Sequence, residues 1–253
     1  MSDTIKTLSD RDVPTTLVIV GVSDSVENLI IGHRSIDRAL IQVQMPRMSR
    51  DELTDIVTKG MARMPELTLD LALARRMAEL CKGLPHFAHL LAKHSVLTAI
   101  DNRHRIVTRQ DYEKALKTAT EEKTQSLGEA YRDATHSAKE SIFEEVLLAC
   151  ALATDAQGRF GAKDVRAPLS YIMNKPVKIE AYIRHLDKFS QDVRGPVLKK
   201  EGPKRRFQYS FAEPMMQPYV LMKGLADGKI NEERLSVLSS APEPPSEQSL
   251  FAE

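Results

Sequence analysis

Between Lys175 and Arg206 the chain carries ten basic residues: Lys175, Lys178, Arg184, Lys188, Arg194, Lys199, Lys200, Lys204, Arg205 and Arg206. Four acidic residues oppose them, Glu180, Asp187, Asp192 and Glu201, a local excess of six positive charges. The whole chain is nearly neutral, with 36 Lys and Arg against 35 Asp and Glu. Clustered cations suit contact with nucleic-acid phosphates, which depends on the local field rather than the net charge. Other chemistry-bearing residues are sparser. Arg34 and Arg38 lie in His33-Arg34-Ser35-Ile36-Asp37-Arg38, and Asp24 lies in Gly21-Val22-Ser23-Asp24-Ser25. His86, His89 and His94 share one segment, but without carboxylates or thiolates at ligand spacing they make no metal set. Cys81 and Cys150 fall inside apolar helical patterns and read as buried free thiols.

One absence bears on nucleotide chemistry. A phosphate cradle of the form G-x-x-x-x-G-K-[ST] needs backbone N–H groups around the phosphates and a Lys to pair with them. Of the 11 glycines only Gly228 is followed by Lys, and Gly224 to Ile230 has the wrong spacing and no hydroxyl after Lys229. Nor does any apolar strand-like run end in an Asp-Glu pair that could hold Mg²⁺.

The elements that must position these residues follow from the hydrophobic pattern. Pro14-Thr15-Thr16-Leu17-Val18-Ile19-Val20-Gly21 and Ala39 to Met45 read as short strands, the first buried on both faces as in a parallel sheet and the second nearer an edge. From Ser49 to about Phe143 the periodicity is helical throughout. Ser49 and Glu52 have capping-box spacing, Gly83 with Pro85 ends a second helix, and Thr108 with Asp111 starts a fourth. Beyond Ser141 come three helices, Ile142–Ala153, Ala162–Met173 and about Val177–Gln191, with a Gly-containing turn at Asp155–Gly161. Pro196–Lys200 and Arg206–Phe211 then flank Glu201-Gly202-Pro203-Lys204 as a β-hairpin, giving a winged-helix pattern.

At 253 residues, 42% hydrophobic and 28% charged, the composition is that of one or two globular domains. No apolar run approaches the roughly 20 residues needed to span a bilayer, and the polar, acidic start is no secretory signal. These features exclude a disulfide-stapled, secreted or transmembrane protein and leave a cytoplasmic one without membrane partners.

The order of parts resembles the C-terminal two-thirds of an AAA+ ATPase of the origin-recognition-like and transposition-helper type, over residues 10–225. The residues that carry it are the strand ending in GVSDS, the HRSIDR loop before a strand ending in MP, the GLPHFAHLLAKH segment and the winged-helix pattern. The resemblance implies a mainly α fold with a remnant of a parallel P-loop sheet. Residues 1–48 would be a partial ATPase core (strands 4 and 5), 49–140 a helical lid, 141–228 a winged helix and 229–253 a disordered tail. It implies that Asp24 is sensor 1, orienting the attacking water, although a cap on the following helix is also open to it. Arg38, or second Arg34, would be the arginine finger that neutralises the transferred phosphoryl group of a neighbouring subunit, the other reading being a surface Arg paired with Asp37. His86 takes the sensor 2 position, where the family has Arg; a neutral imidazole cannot replace that permanently charged fork.

The missing cradle and Asp-Glu pair would lie upstream of Met1. This chain alone is therefore expected to hold no cofactor, with ATP and Mg²⁺ belonging to a complete domain, and ATPase activity would need a partner or further segment to supply both motifs. In the family the P-loop strand separates the two strands kept here, which predicts a slot of about twice the 4.8 Å strand spacing between them. The resemblance implies an AAA+ partner or homo-oligomer, coupled to DNA or protein remodelling. Lys199, Lys200, Lys204, Arg205 and Arg206 on the wing, with Lys178, Arg184 and Lys188 on the third helix, are the expected DNA contacts, mostly sequence-independent because that helix has no Asn/Gln/Arg cluster to read bases. A protein-interaction module with a degenerate ATPase remnant is the alternative.

Overall fold

In the computed structural model, contacts divide the chain into two compact units, Met1–Pro46 and Arg47–Glu253. The structure describes residues 46–122, 125–137, 141–203 and 206–231, together with positions 7, 15, 16, 18, 41, 43 and 235. The two expected strands of the first unit therefore lie largely outside the described residues. At the positions that are described, Thr15, Thr16, Val18, Ile41 and Val43 are exposed and belong to no regular element. Val18 is 77% exposed, against the doubly covered strand that its β-branched run suggests. A parallel strand is stable only when covered on both faces.

The second unit is mainly helical. Helix α1, Arg50–Met61, opens on a reciprocal capping box: the Glu52 amide donates to Ser49 Oγ, and the Ser49 amide donates to Glu52 Oε2 at 2.7 Å. Its buried stripe is Leu53, Val57 and Met61, one residue per turn. Helix α2, Leu71–Cys81, is capped by Asp70 and buries Leu73, Ala74, Met77 and Leu80. It stops because Lys82 (φ 48°) and Gly83 (φ 82°) both turn left-handed. Helix α3, Pro85–Asp101, starts with its proline in the first turn, where no intrahelical N–H is lost. Helices α4, Arg109–Glu122, and α5, Gln125–Thr135, complete this half.

The sequence pattern read this half as wholly helical, but two short strands interrupt it. β1, Thr68–Leu69, and β2, Ile106–Val107, pair in parallel. Beside them the Asp111 carboxylate is fully buried and accepts from Asn102 Nδ2, the Thr108 amide and Thr108 Oγ1, with His104 Nδ1 3.0 Å away. The Asp111 amide donates back to Thr108 Oγ1, so the expected helix start is also the corner that holds β2.

The remaining elements are helix α6 (Phe143–Ala153), strand β3 (Arg159–Gly161) and helices α7 (Arg166–Ile172) and α8 (Ile179–Phe189). A 3₁₀ turn (Asp192–Arg194), strands β4 (Leu198–Glu201) and β5 (Gln208–Phe211), and helix α9 (Met216–Ala226) follow. The sheet order is β3-β5-β4 and both pairings are antiparallel. β3 occupies the segment that the sequence suggested was only a turn. It is too short for alternation to reveal, yet it places Phe160 opposite Tyr209, where the two rings stack with centroids 5.7 Å apart.

Helix α9 joins the two halves, packing on both α4 and α6. A Cβ on Gly224 would come within 2.6 Å of Leu148 Cδ1, so that glycine permits the close approach of α9 to α6. Lys229 bonds Glu144 and Glu145 at 2.5 and 2.7 Å, and Ile230 and Leu235 are buried. These residues, expected in the tail, belong to the folded body. No helix among the described residues is long and apolar enough to cross a membrane.

Candidate nucleic-acid interface

Helix α8 has two faces. Tyr182, Leu186 and Phe189 are completely buried, and the Tyr182 hydroxyl donates to Ala162 O at 2.7 Å, anchoring the helix to the turn before α7. With that stripe fixed, helical geometry turns Arg184 and Lys188 outward, four residues apart on one face. Both are exposed, as is Lys178 at the helix N-cap. On the hairpin, Lys199 stands opposite Ser210 and Lys200 opposite Tyr209. Lys199 and Arg206 are exposed, while Lys204 and Arg205 lie outside the described residues.

Among the described cations of this run, Lys200, Arg194 and Lys188 make contacts within the fold, Lys188 lying 5.6 Å from the centre of the Phe143 ring. Lys200 bonds Asp187 at 2.6 Å and lies 4.2 Å from the centre of the Phe207 ring. The bond to Asp187 raises the Lys200 ammonium above its ordinary value, against a smaller lowering by burial. Arg194 lies 3.8 Å over the Phe143 ring and donates to Ala134 O at 3.1 Å and to His136 O. It thereby caps the end of α5. His185 meets the same phenyl ring at 4.7 Å; burial, then Lys188, lowers its imidazole, and Arg194 adds to this against the imidazole's own bond to the Tyr182 backbone. Sequence reasoning placed Lys200 with the DNA contacts and counted Arg194 in the basic excess, because a one-dimensional charge run does not show which members have internal partners.

The remaining candidates come from other segments of the chain. Asp24, Arg34 and Arg38 lie outside the described residues. His86 is exposed on the first turn of α3, edge-on to Phe87 with ring centroids 5.4 Å apart. One turn earlier, burial lowers the Lys82 ammonium to about 8, with Glu79 opposing and Arg47 adding to the effect. Burial raises the thiols of Cys81 and Cys150 well above their usual range, and Cys81 donates to Met77 O. No group of His, Cys, Asp or Glu among the described residues is arranged to hold a metal ion.

Two concavities adjoin these elements. A groove of about 470 Å³ runs between the end of α8 and β4, bounded by Asp187, Gln191, Pro196 and Leu198. A cleft of about 920 Å³, where α4, α5, α6 and α9 meet, is lined by Tyr131, Tyr219, Arg132 and Lys117 among others. The sequence offered no signal for the cleft, whose walls come from four separate helices.

No family model matches this sequence, and no curated protein matches it. Among solved structures it is similar to Cdc6p from Pyrobaculum aerophilum, at 13% identity and a TM-score of 0.41, over 91% of this chain. The match spans 63% of the length of that protein.

Proposed function

We propose that this chain is the portion of an AAA+ ATPase beyond its nucleotide seat, and that its second half is a winged helix contacting DNA phosphates without strong sequence preference. The observation that carries the DNA reading is the arrangement of α8 and the β4–β5 hairpin. Order supports it: helix, strand, two helices and hairpin, the hairpin joining the first strand in the three-stranded sheet β3-β5-β4. Charge supports it too, because Lys178, Arg184, Lys188, Lys199 and Arg206 are exposed on these elements. In this reading α8 enters the major groove and the hairpin follows the backbone. Lys204 and Arg205 add to the wing, whereas Lys200 contributes after leaving Asp187.

The ATPase half of the proposal rests on the spacing of the GVSDS, HRSIDR and GLPHFAHLLAKH segments. Asp24 would orient water, Arg38 or Arg34 would act as the finger, and His86 would face the nucleotide weakly. ATP and Mg²⁺ would be held by Walker motifs in another segment or chain.

Titration of a labelled DNA duplex at about 50 mM salt, repeated at rising salt, tests the first half. Binding should weaken steeply as counterions compete, by roughly one power of salt per phosphate contact. Absence of binding, or salt-independent binding, overturns it. For the second half, the isolated chain should show no micromolar ATP affinity; a partner recovered with it should carry its own phosphate cradle. A protein-binding module with an ATPase remnant is the alternative, favoured by His86 in place of Arg.

A further inference from the structure

Arg47, the first residue of the second unit, reaches parts of the fold far apart in sequence. Its Nη1 donates to Lys82 O at 2.9 Å and to Gln217 Oε1 at 2.8 Å. Gln217, buried to 1% exposure, donates from its other end to Ala151 O at 3.2 Å. The Met48 amide donates to Gly83 O at 3.1 Å. A Cβ on Gly83 would lie 2.5 Å from Arg47 Cβ, and one on Gly158 would lie 3.2 Å from Nη2. One guanidinium and one buried amide thus meet the α2–α3 turn, the end of α6, the α6–β3 turn and the first turn of α9.

These contacts form an ordered chain. Lys82 and Gly83 lead directly into the first turn of α3, where His86 stands. Gly158 leads into β3, whose pairing with β5 sets the hairpin. Gln217 uses both halves of its amide, one toward Arg47 and the other toward α6. An amide in that position cannot shift without breaking one bond or the other, and each broken bond leaves a buried polar group unpaired.

We infer that Arg47 and Gln217 form a positioning relay that locks the α2–α3 turn to the base of the β3–β5–β4 sheet, so that displacement of either is transmitted to the other. The inference concerns coupling within this unit and stands whether or not the hairpin meets nucleic acid. Both bond acceptors lie more than 30 residues from Arg47, so the relay is a tertiary device rather than a local cap.

Amide hydrogen exchange on the full chain, without any ligand, tests it. The reporters are the Met48 and Leu84 amides at the α2–α3 turn and the Gly158 amide at the base of the sheet. In Gln217→Met, which keeps the volume but removes both polar ends, all three should exchange about tenfold faster, the change expected for one lost buried bond. Gln217→Glu retains the acceptor toward Arg47 while losing the donor to Ala151 O, so Met48 and Leu84 should stay near wild type. If Gln217→Met changes exchange only around its own helix and Ala151, or if both variants disturb Met48 and Leu84 equally, the relay is refuted and Gln217 is a packing residue. Arg47→Lys, which keeps the charge but loses the fork, should also release Leu84 and Gly158 together. It decides the matter if Gln217→Met does not fold, and an unchanged Gly158 would refute the relay.

Discussion

The two ends of the second unit use positive charge in opposite ways. Around Arg47 a cation is part-buried and its donors are spent on a backbone carbonyl and an amide, so that charge serves the fold. Along α8 and the hairpin most cations stand in solvent, where they cost the fold little and are open to an anionic partner. Two members of the same basic run, Arg194 and Lys200, belong to the first kind. Positive charge in sequence is therefore not one quantity.

Reversing the solvent-facing set gives the largest expected effect. Arg184→Glu, Lys188→Glu and Lys199→Glu together should weaken duplex binding about a thousandfold at low salt, while thermal unfolding changes little, since surface substitutions are usually near neutral. A large loss of stability instead would place these cations with Arg47. Arg47→Ala should destabilise by about 3 kcal/mol in denaturant unfolding, because it orphans Lys82 O and Gln217 Oε1.

Asp111 extends the comparison to an acid. Burial alone would raise its carboxyl, but the bonds from His104, Thr108 and Asn102 together outweigh burial and hold it well below the usual carboxylate range. The unfolded chain therefore takes up the proton first as pH falls. The stabilisation is fully present above the unfolded value of about 4 and is lost progressively below it. Asp111→Asn should cost about 2 kcal/mol at neutral pH and flatten the acid limb of the stability profile. An unchanged acid limb would show that another group controls it.

Gly224→Ala should cost about 1–2 kcal/mol by forcing Leu148 away from the α9–α6 contact. The smallest effect belongs to Lys200→Ala. Its bond with Asp187 is partly exposed, so less than about 1 kcal/mol is expected from unfolding measurements.

The legible elements were those with local causes. Ser49 and Glu52 announce α1 because a capping box is complete within four residues, and Thr108 with Asp111 does the same for α4. The hairpin was legible because Gly202-Pro203 separates two β-prone runs, which pair from Leu198–Phe211 to Glu201–Gln208. β1, β2 and β3 were not, since runs of two or three residues carry no period and exist only through distant partners. The exposed cations of α8 followed from the apolar stripe of Tyr182, Leu186 and Phe189 on its other face. The roles of Arg47, Arg194 and Lys200 had no local sign: their partners are 13 to 170 residues away. Asp24, Arg34 and Arg38 remain expectations from the resemblance.

Helix α9 also bears on the order in which this body can assemble. Its residues complete walls begun about a hundred positions earlier in α4 and about seventy earlier in α6. During synthesis, neither earlier half can finish excluding water until α9 has left the ribosome. The slow step of folding should therefore be the late arrival of that helix, as expected when long-range closure must precede its reward.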